Sequence, residues 1–217
     1  MKAELITSMG DDLLVVNAAR VSFDKESKEF SSGDGKLLAY LAKHNHWTPF
    51  SHPQICMRET VPIFVARQRF KHMVGFTYNE VSRRYVDDEP SFYTPDTWRS
   101  RPEGSVKQGS GSETISTIDW GVNDNADIKH VYNSHCNYAR NLYESMVEQG
   151  VAPEQARMVL PQSMYTSYYV TGSLAAWARA YKQRIEHGAQ KEIQDLAKQW
   201  DEVIAPLFPE SWGVLTQ

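Results

Sequence analysis

The sequence predicts one compact domain of mixed α and β class that is not built on a dinucleotide-binding Rossmann unit. Three observations carry this. Apolar residues recur at helical spacing over 128–148, 174–185 and 189–204, whereas short runs at 13–16 and 54–61 have the length and composition of strands. A chain of 217 residues is long enough to bury a core without disulfide or metal staples. No G-x-G-x-x-G pattern is present, so the glycine-rich phosphate turn of a Rossmann unit is missing.

Composition narrows the function classes. The net charge of −4 gives no global basic field of the kind a sequence-independent nucleic-acid binder uses. Cys56 and Cys136 are far apart and lack zinc-ligand spacing, which argues against a metal site and a disulfide framework. There is no apolar run of about 18 residues, and acidic residues by position 12 do not suit a signal peptide. A cytoplasmic protein is expected.

In chain order, Leu13-Leu14-Val15-Val16 reads as a short buried strand, followed by the segment Ala18-Ala19-Arg20-Val21-Ser22-Phe23. Residues 24–35 form a charged, Ser/Gly-rich loop, and Asp34 or Ser32 caps a helix bearing Leu37, Leu38 and Leu41. That helix runs into His44, His46 and His52 within nine residues. Metal ligation is one reading of them. Loop histidines making hydrogen bonds is the other, favoured because no carboxylate or cysteine completes a ligand set.

Gln54 to Val61 alternates as a half-buried strand and feeds a helix at Pro62, which suits a first helical turn. Gly75 ends that helix, leaving Phe76–Tyr85 as loop. From Val65 to Tyr85 the chain concentrates Arg67, Arg69, Lys71, His72, Arg83 and Arg84 around the carboxylate of Glu80, with Gln68, Asn79 and Ser82 between them. Forked guanidiniums, a hydroxyl and backbone amides form a phosphate cradle. The alternative is a solvated basic helix face.

Beyond Tyr85, an acidic run precedes Phe92–Pro95, a loop with a short edge strand, and residues 99–127 form a Gly/Ser/Asp/Asn-rich connector. A connector this long is a lid or a flexible insertion, and Lys107-Gln108-Gly109-Ser110 could close over a phosphate. Ile128–Glu148 is a long amphipathic helix ending before Gly150, and Pro153 starts a short helix that delivers Arg157. A further helix carries Leu174, Trp177, Tyr181 and Ile185, capped by Thr171 and closed by Gly188, with Arg179 and Arg184 left unexplained by packing. The last helix, Ala189–Ile204, stops before Pro206.

Four blocks of this chain resemble the flavin-dependent thymidylate synthases. They are AARVSF; His46-x-Thr48-Pro49-Phe50-x-His52; Arg67-Gln68 with Asn79-Glu80-x-Ser82 and Arg84-Tyr85; and Ala156-Arg157, Leu160-Pro161, Tyr165-Thr166, Arg184, Ala189-Gln190 and Glu192-Ile193. The departures are Lys71-His72-Met73 where the family has RHR, one extra residue before Asn79, Ser51 in place of a glutamate, and Gly172-Ser173-Leu174-Ala175 in place of N-x-R.

The resemblance implies an α+β fold, a mainly antiparallel sheet flanked by helices, over residues 1–217. It implies conversion of dUMP to dTMP with a methylene from 5,10-methylenetetrahydrofolate and a hydride from FAD reduced by NADPH, in a homotetramer whose sites are shared between subunits. It implies dUMP ligands among Gln68, Arg69, Lys71, Glu80, Val81, Ser82, Arg83, Arg84, Arg157 and Arg184. FAD ligands would come from Ser22, His46, Thr48, Ser51, Lys71, His72, Met73, Glu80, Ser173 and Arg179. Arg69 would compensate at the flavin pyrophosphate for Met73, which stands where the family has arginine. Neither cysteine lies in the electropositive setting a thiolate nucleophile needs, which fits an enzyme without a protein nucleophile, and the resemblance implies that Arg184 activates the uracil. Two rivals remain: a single-stranded nucleic-acid module using Tyr165, Tyr168, Tyr169, Trp177 and Arg179 as a stacking surface, and a flavin oxidoreductase without methyl transfer.

Overall fold

The computed structural model describes residues 1–86, 88–104, 109–121 and 123–217. The elements in chain order are β1 (Lys2–Met9), α1 (Asp12–Arg20), α2 (Ser32–Lys43), β2 (Gln54–Pro62), α3 (Ile63–Arg69), β3 (Phe76–Glu80), β4 (Thr117–Trp120), β5 (Asn123–Asp127), α4 (Ile128–Glu148), α5 (Pro153–Ala156), β6 (Tyr165–Ser173), α6 (Leu174–Ile185), α7 (Lys191–Ile204) and α8 (Pro209–Thr216). A four-stranded sheet has the order β1-β2-β6-β3, and β4 and β5 form a separate antiparallel pair.

The chain forms two compact units. The first comprises Met1–Thr60, Gln68–Asn79 and Tyr168–Gln217, the second Val61–Arg67 and Glu80–Ser167. In the first, β1 pairs antiparallel with β2 through an irregularity between Leu5 and Thr7. Along β2 the inward positions Ile55, Met57 and Glu59 are fully buried while Cys56, Arg58 and Thr60 are not, the period-two pattern of a half-covered strand. Each such apolar side chain contributes about 1.5–3 kcal/mol on burial. They join Leu38, Phe50, Val170, Trp177, Leu196 and Trp200 in one core. Helices α6 and α7 pack together, as do α2 and α8, and the Asp12 carboxylate accepts from the backbone amides of Glu210 and Ser211, both at 2.9 Å.

In the second unit Asp127 caps α4, its side chain accepting from the His130 amide at 2.6 Å. The stripe Cys136, Ala139 and Tyr143 is buried, and Gly150, with φ +88, follows the helix end. The amides of Ile63 and Phe64 donate to the carbonyls of Met164 and Gln162, each at 3.0 Å. Phe92 forms an isolated bridge with Met164.

Several sequence expectations are corrected. The run Leu13–Val16 is helical, in α1, because Asp11 caps it by accepting from the Leu14 amide at 2.8 Å. Helix α2 is capped by Ser31, in a reciprocal capping box with Asp34. Phe76–Glu80 is not loop but β3, the edge strand of the sheet. Thr171 lies within β6, and Ser173 caps α6, which ends at Ile185 ahead of Gly188. The described part of 99–127 carries a bridge between Arg99 and Thr114 and the β4–β5 hairpin, so it has secondary structure of its own. Lys107 and Gln108 lie outside the described residues. Among the described residues no helix is long and apolar enough to cross a membrane.

Candidate active site

The first unit gathers one set of candidate residues where the turn after α3 meets α6. The amides of Lys71 and His72 donate to the carbonyls of Gln68 and Arg69 at 3.3 and 3.1 Å, so the chain leaves the helix in a tight turn. Gly75 then takes φ +79, and a Cβ there would lie 2.8 Å from that of Ala176. Only glycine meets both demands without strain. Opposite, the Ser173 hydroxyl accepts from the Ala176 amide at 3.3 Å, opening the helix that carries Arg179 and Arg184.

Arg184 donates through Nε to His72 Nε2 at 2.8 Å and through Nη2 to the Gln68 carbonyl at 3.2 Å. A ring nitrogen that accepts is unprotonated, so the His72 proton resides on Nδ1. Burial, then the charges of Arg184, Arg69 and Arg179, push the His72 pKa down to about 4. Burial and Arg69 also lower the Arg184 pKa, from a value so high that the group stays cationic. Arg179 donates through Nη2 to the Val74 carbonyl. The Gln68 side-chain amide donates to Gln190 Oε1 at 2.5 Å, and Gln190 in turn donates to the buried Glu192 at 2.8 Å. Lys71 and Met73 are exposed.

His46, Thr48 and Ser22 are exposed in the same unit, and Ser51 donates to the Trp47 carbonyl at 3.4 Å. The short 3-10 turn Pro49–Ser51 packs against both α1 and α6. His44 and His46 flank Tyr40, with ring centroids 4.3 and 6.1 Å from it.

The second unit gathers the other set. Glu80 accepts from the Thr166 hydroxyl at 2.7 Å, and the Val81 amide donates to the Ser167 carbonyl at 2.9 Å. Ser82 opens a turn, its Oγ accepting from the Arg84 amide at 3.3 Å and its carbonyl from the Tyr85 amide at 3.0 Å. Arg83 donates to the Asp88 carbonyl and lies 3.9 Å from its carboxylate. Arg84 pairs with Glu154 at 3.4 Å, and Arg157 donates to the Glu154 carbonyl at 3.3 Å. Both side chains of the Arg84 pair are about half exposed. Such a pair is worth little.

Arg69 leaves the ligand set. It has no exposed surface, and its Nε lies 3.3 Å from both carboxylate oxygens of Glu59, which is equally buried. Its guanidinium carbon sits 4.3–5.3 Å from the ring centroids of Phe76, Trp177, Trp200 and Tyr78. A guanidinium so enclosed is engaged with Glu59 and the rings and presents no surface to a ligand, at the phosphate or in place of Met73. Tyr168 donates to Glu59 and is buried, as is Trp177, so neither serves as a stacking surface. The expectations missed Glu59 and Tyr78, which no local pattern marks, and put Tyr168 on a stacking surface rather than beside Glu59. They also missed roles for Gln190 and Glu192, which were visible only as a family block.

The family model described as thymidylate synthase complementing protein matches residues 4–210. A flavin-dependent thymidylate synthase of Thermosipho melanesiensis is 36% identical over 206 residues, covering 95% of this chain and 84% of the relative. One from Thermus thermophilus is 33% identical over 217 residues, covering 98% and 74%. Among solved structures, the UMP/dUMP methylase PolB from Streptomyces cacaoi bound with 5-Br dUMP superposes with a TM-score of 0.83 at 28% identity, over 99% of this chain and 94% of that one. A match running from residue 4 to residue 210, with relatives above 30% identity across nearly the whole chain, places this protein in the flavin-dependent thymidylate synthase family.

Proposed function

We propose that this chain makes dTMP from dUMP by flavin-dependent reductive methylation, with Arg184 as the group that activates the uracil. The observation that carries the reading is the Arg184 guanidinium, half-buried and hydrogen-bonded to a neutral imidazole and a carbonyl rather than to a carboxylate. Its Nη1 amino group is uncommitted among the described residues, and it can donate to the N3/O2 edge of the ring. Negative charge that builds on the uracil as C5 becomes nucleophilic is stabilised there, and loss of one such donor costs about 10²–10³ in rate.

Gln68, its amide oriented by Gln190, contributes a side-chain carbonyl to the nucleotide. Ser82, Arg83, Arg84 and Arg157 supply hydroxyl and guanidinium donors to the phosphate, with the Val81 and Glu80 backbone alongside. In a homotetramer with shared sites, the two sets of ligands can come from different subunits. The hydroxyl of Ser82 lacks a histidine base, and neither cysteine is needed as a nucleophile.

The flavin has donors that suit it. Lys71 and Arg179 are cations without a carboxylate partner among the described residues, and Ser22, Thr48, Ser51 and Ser173 offer hydroxyls. This is a donor set for a diphosphate, with His46, neutral His72, Met73 and Glu80 lining the rest. FAD reduced by NADPH supplies the hydride, and 5,10-methylenetetrahydrofolate the one-carbon unit.

The test is dTMP formation from dUMP, methylenetetrahydrofolate and NADPH under anaerobic conditions, with and without FAD, for the wild type and Arg184→Ala. FAD-dependent product that falls about 10²–10³-fold in the variant is expected. NADPH oxidation without dTMP would return the flavin oxidoreductase reading. Neither reaction, together with salt-sensitive binding of single-stranded nucleic acid, would return the binding module.

A further inference from the structure

The reading above uses Arg184 and His72 but leaves a buried polar chain beside them without a role. Glu59, Arg69 and Tyr78 come from β2, α3 and β3, and all lie in the first unit. Packing alone does not call for them. A buried ion pair can commonly be replaced by apolar side chains of similar volume at little cost.

The chain has a direction. Glu59 holds Arg69 Nε at 3.3 Å, and Arg69 Nη1 donates to the Tyr78 hydroxyl at 2.6 Å. Having accepted there, that hydroxyl turns its own proton to the His72 carbonyl at 2.7 Å, with the Arg69 carbonyl farther off at 3.3 Å. His72 is the residue whose Nε2 receives the Arg184 Nε–H. One line therefore runs from the Glu59 carboxylate to the Arg184 guanidinium, hydrogen-bonded up to the His72 carbonyl, covalent through His72, and hydrogen-bonded again at its ring.

We propose that Glu59, Arg69 and Tyr78 are positioning residues for the reaction: they pin the main chain at His72, and through the His72 imidazole they aim Arg184. The inference rests on the role given to Arg184 above. Burial pushes the Tyr78 hydroxyl up to about 12, so it keeps the proton it donates throughout the working range. The charged groups facing the His72 ring are Arg184 and Arg179 from α6 and Arg69 from α3, with Glu59 of β2 behind Arg69. Only a neutral imidazole accepts from Arg184, and the pinned turn keeps it among these cations and out of water.

Tyr78→Phe removes one hydroxyl while leaving the ring that meets Phe70 edge-to-face at 5.1 Å and Phe76, tilted, at 6.0 Å. The His72 imidazole is followed by NMR titration, identified among the seven histidines by its loss in His72→Gln. In the wild type it stays neutral to about pH 4. In Tyr78→Phe the ring rehydrates and its midpoint moves up toward 6.5. The kcat/KM for dUMP falls about tenfold and gains an acid limb near pH 6, and the same substitution costs nothing further in an Arg184→Ala background.

A variant that unfolds more easily but keeps the wild-type His72 titration and dUMP kinetics would make the chain mere scaffold and overturn the proposal. If Tyr78→Phe does not fold, Arg69→Lys keeps the charge but loses the fork, and the same titration decides. A wild type that makes no dTMP sinks the function while leaving the titration to judge the positioning.

Discussion

Arg69→Met tests whether the arginine inside the aromatic box is structural. Neither Arg69 nor Glu59 has any exposed side-chain surface, so the substitution leaves a carboxylate in the core with only the Tyr168 hydroxyl to stabilise it. Breaking a buried pair in this way costs about 3–5 kcal/mol. With a urea m-value of about 2 kcal/mol/M, the unfolding midpoint falls by roughly 2 M. Tryptophan fluorescence is a suitable probe, because the Trp177 and Trp200 rings lie 4.6 and 4.7 Å from the guanidinium. The double variant Glu59→Leu/Arg69→Met carries no buried charge and should recover most of the loss, with a coupling of about 2 kcal/mol or more. A single variant that loses under about 1 kcal/mol, or a double that loses the sum of both singles, refutes this.

Three further outcomes follow from the geometry. His72 titrates near 6.5 when unfolded and near 4 when folded, so the unfolded chain binds the proton first; stability is full above pH 6.5 and falls by up to about 3 kcal/mol by pH 4, a slope that urea titrations of His72→Gln should lack. A Cβ at Gly172 would meet the Phe76 ring at 2.3 Å, so Gly172→Ala should cost about 1–3 kcal/mol in thermal or urea unfolding. Asp34 has its carboxyl pKa lowered, first by the Ser31 hydroxyl, so its stabilisation is present above about pH 4 and lost below; Asp34→Asn should remove about 1 kcal/mol at pH 7 with the helical content of α2 reduced.

The sequence carried the long elements well and the short ones poorly. Helix α4 runs over the expected 128–148 because three-to-four-residue periodicity accumulates over 21 residues. Four apolar residues at 13–16 carry no period, and there Asp11 as an N-cap was the stronger signal. Strand β1 is largely exposed, so it lacks the alternation that marks a strand, and β3 was hidden behind Gly75. At the site, Arg184 could be found only through its block in the family. Arg69 looked like a ligand because its neighbours are ligand types, and nothing nearby reveals that Glu59, ten positions earlier on β2, faces it. The register of one β-strand against the following helix decides that, and it is a tertiary fact.

Interleaving of the two units has a consequence for synthesis. β2 lies between β1 and β6 in the sheet, yet β6 leaves the ribosome about a hundred residues later. At about 5–20 residues per second the nascent chain waits roughly 5–20 s with one β2 edge unpaired. Over that interval Ile55 and Met57 lack Trp177, Leu196 and Trp200 of the finished core, and the Glu59 carboxylate lacks the Tyr168 hydroxyl. An open apolar edge is a template for pairing with another chain. Slowing elongation between codons 60 and 168 should therefore lower soluble yield more than the same delay placed after Ser173.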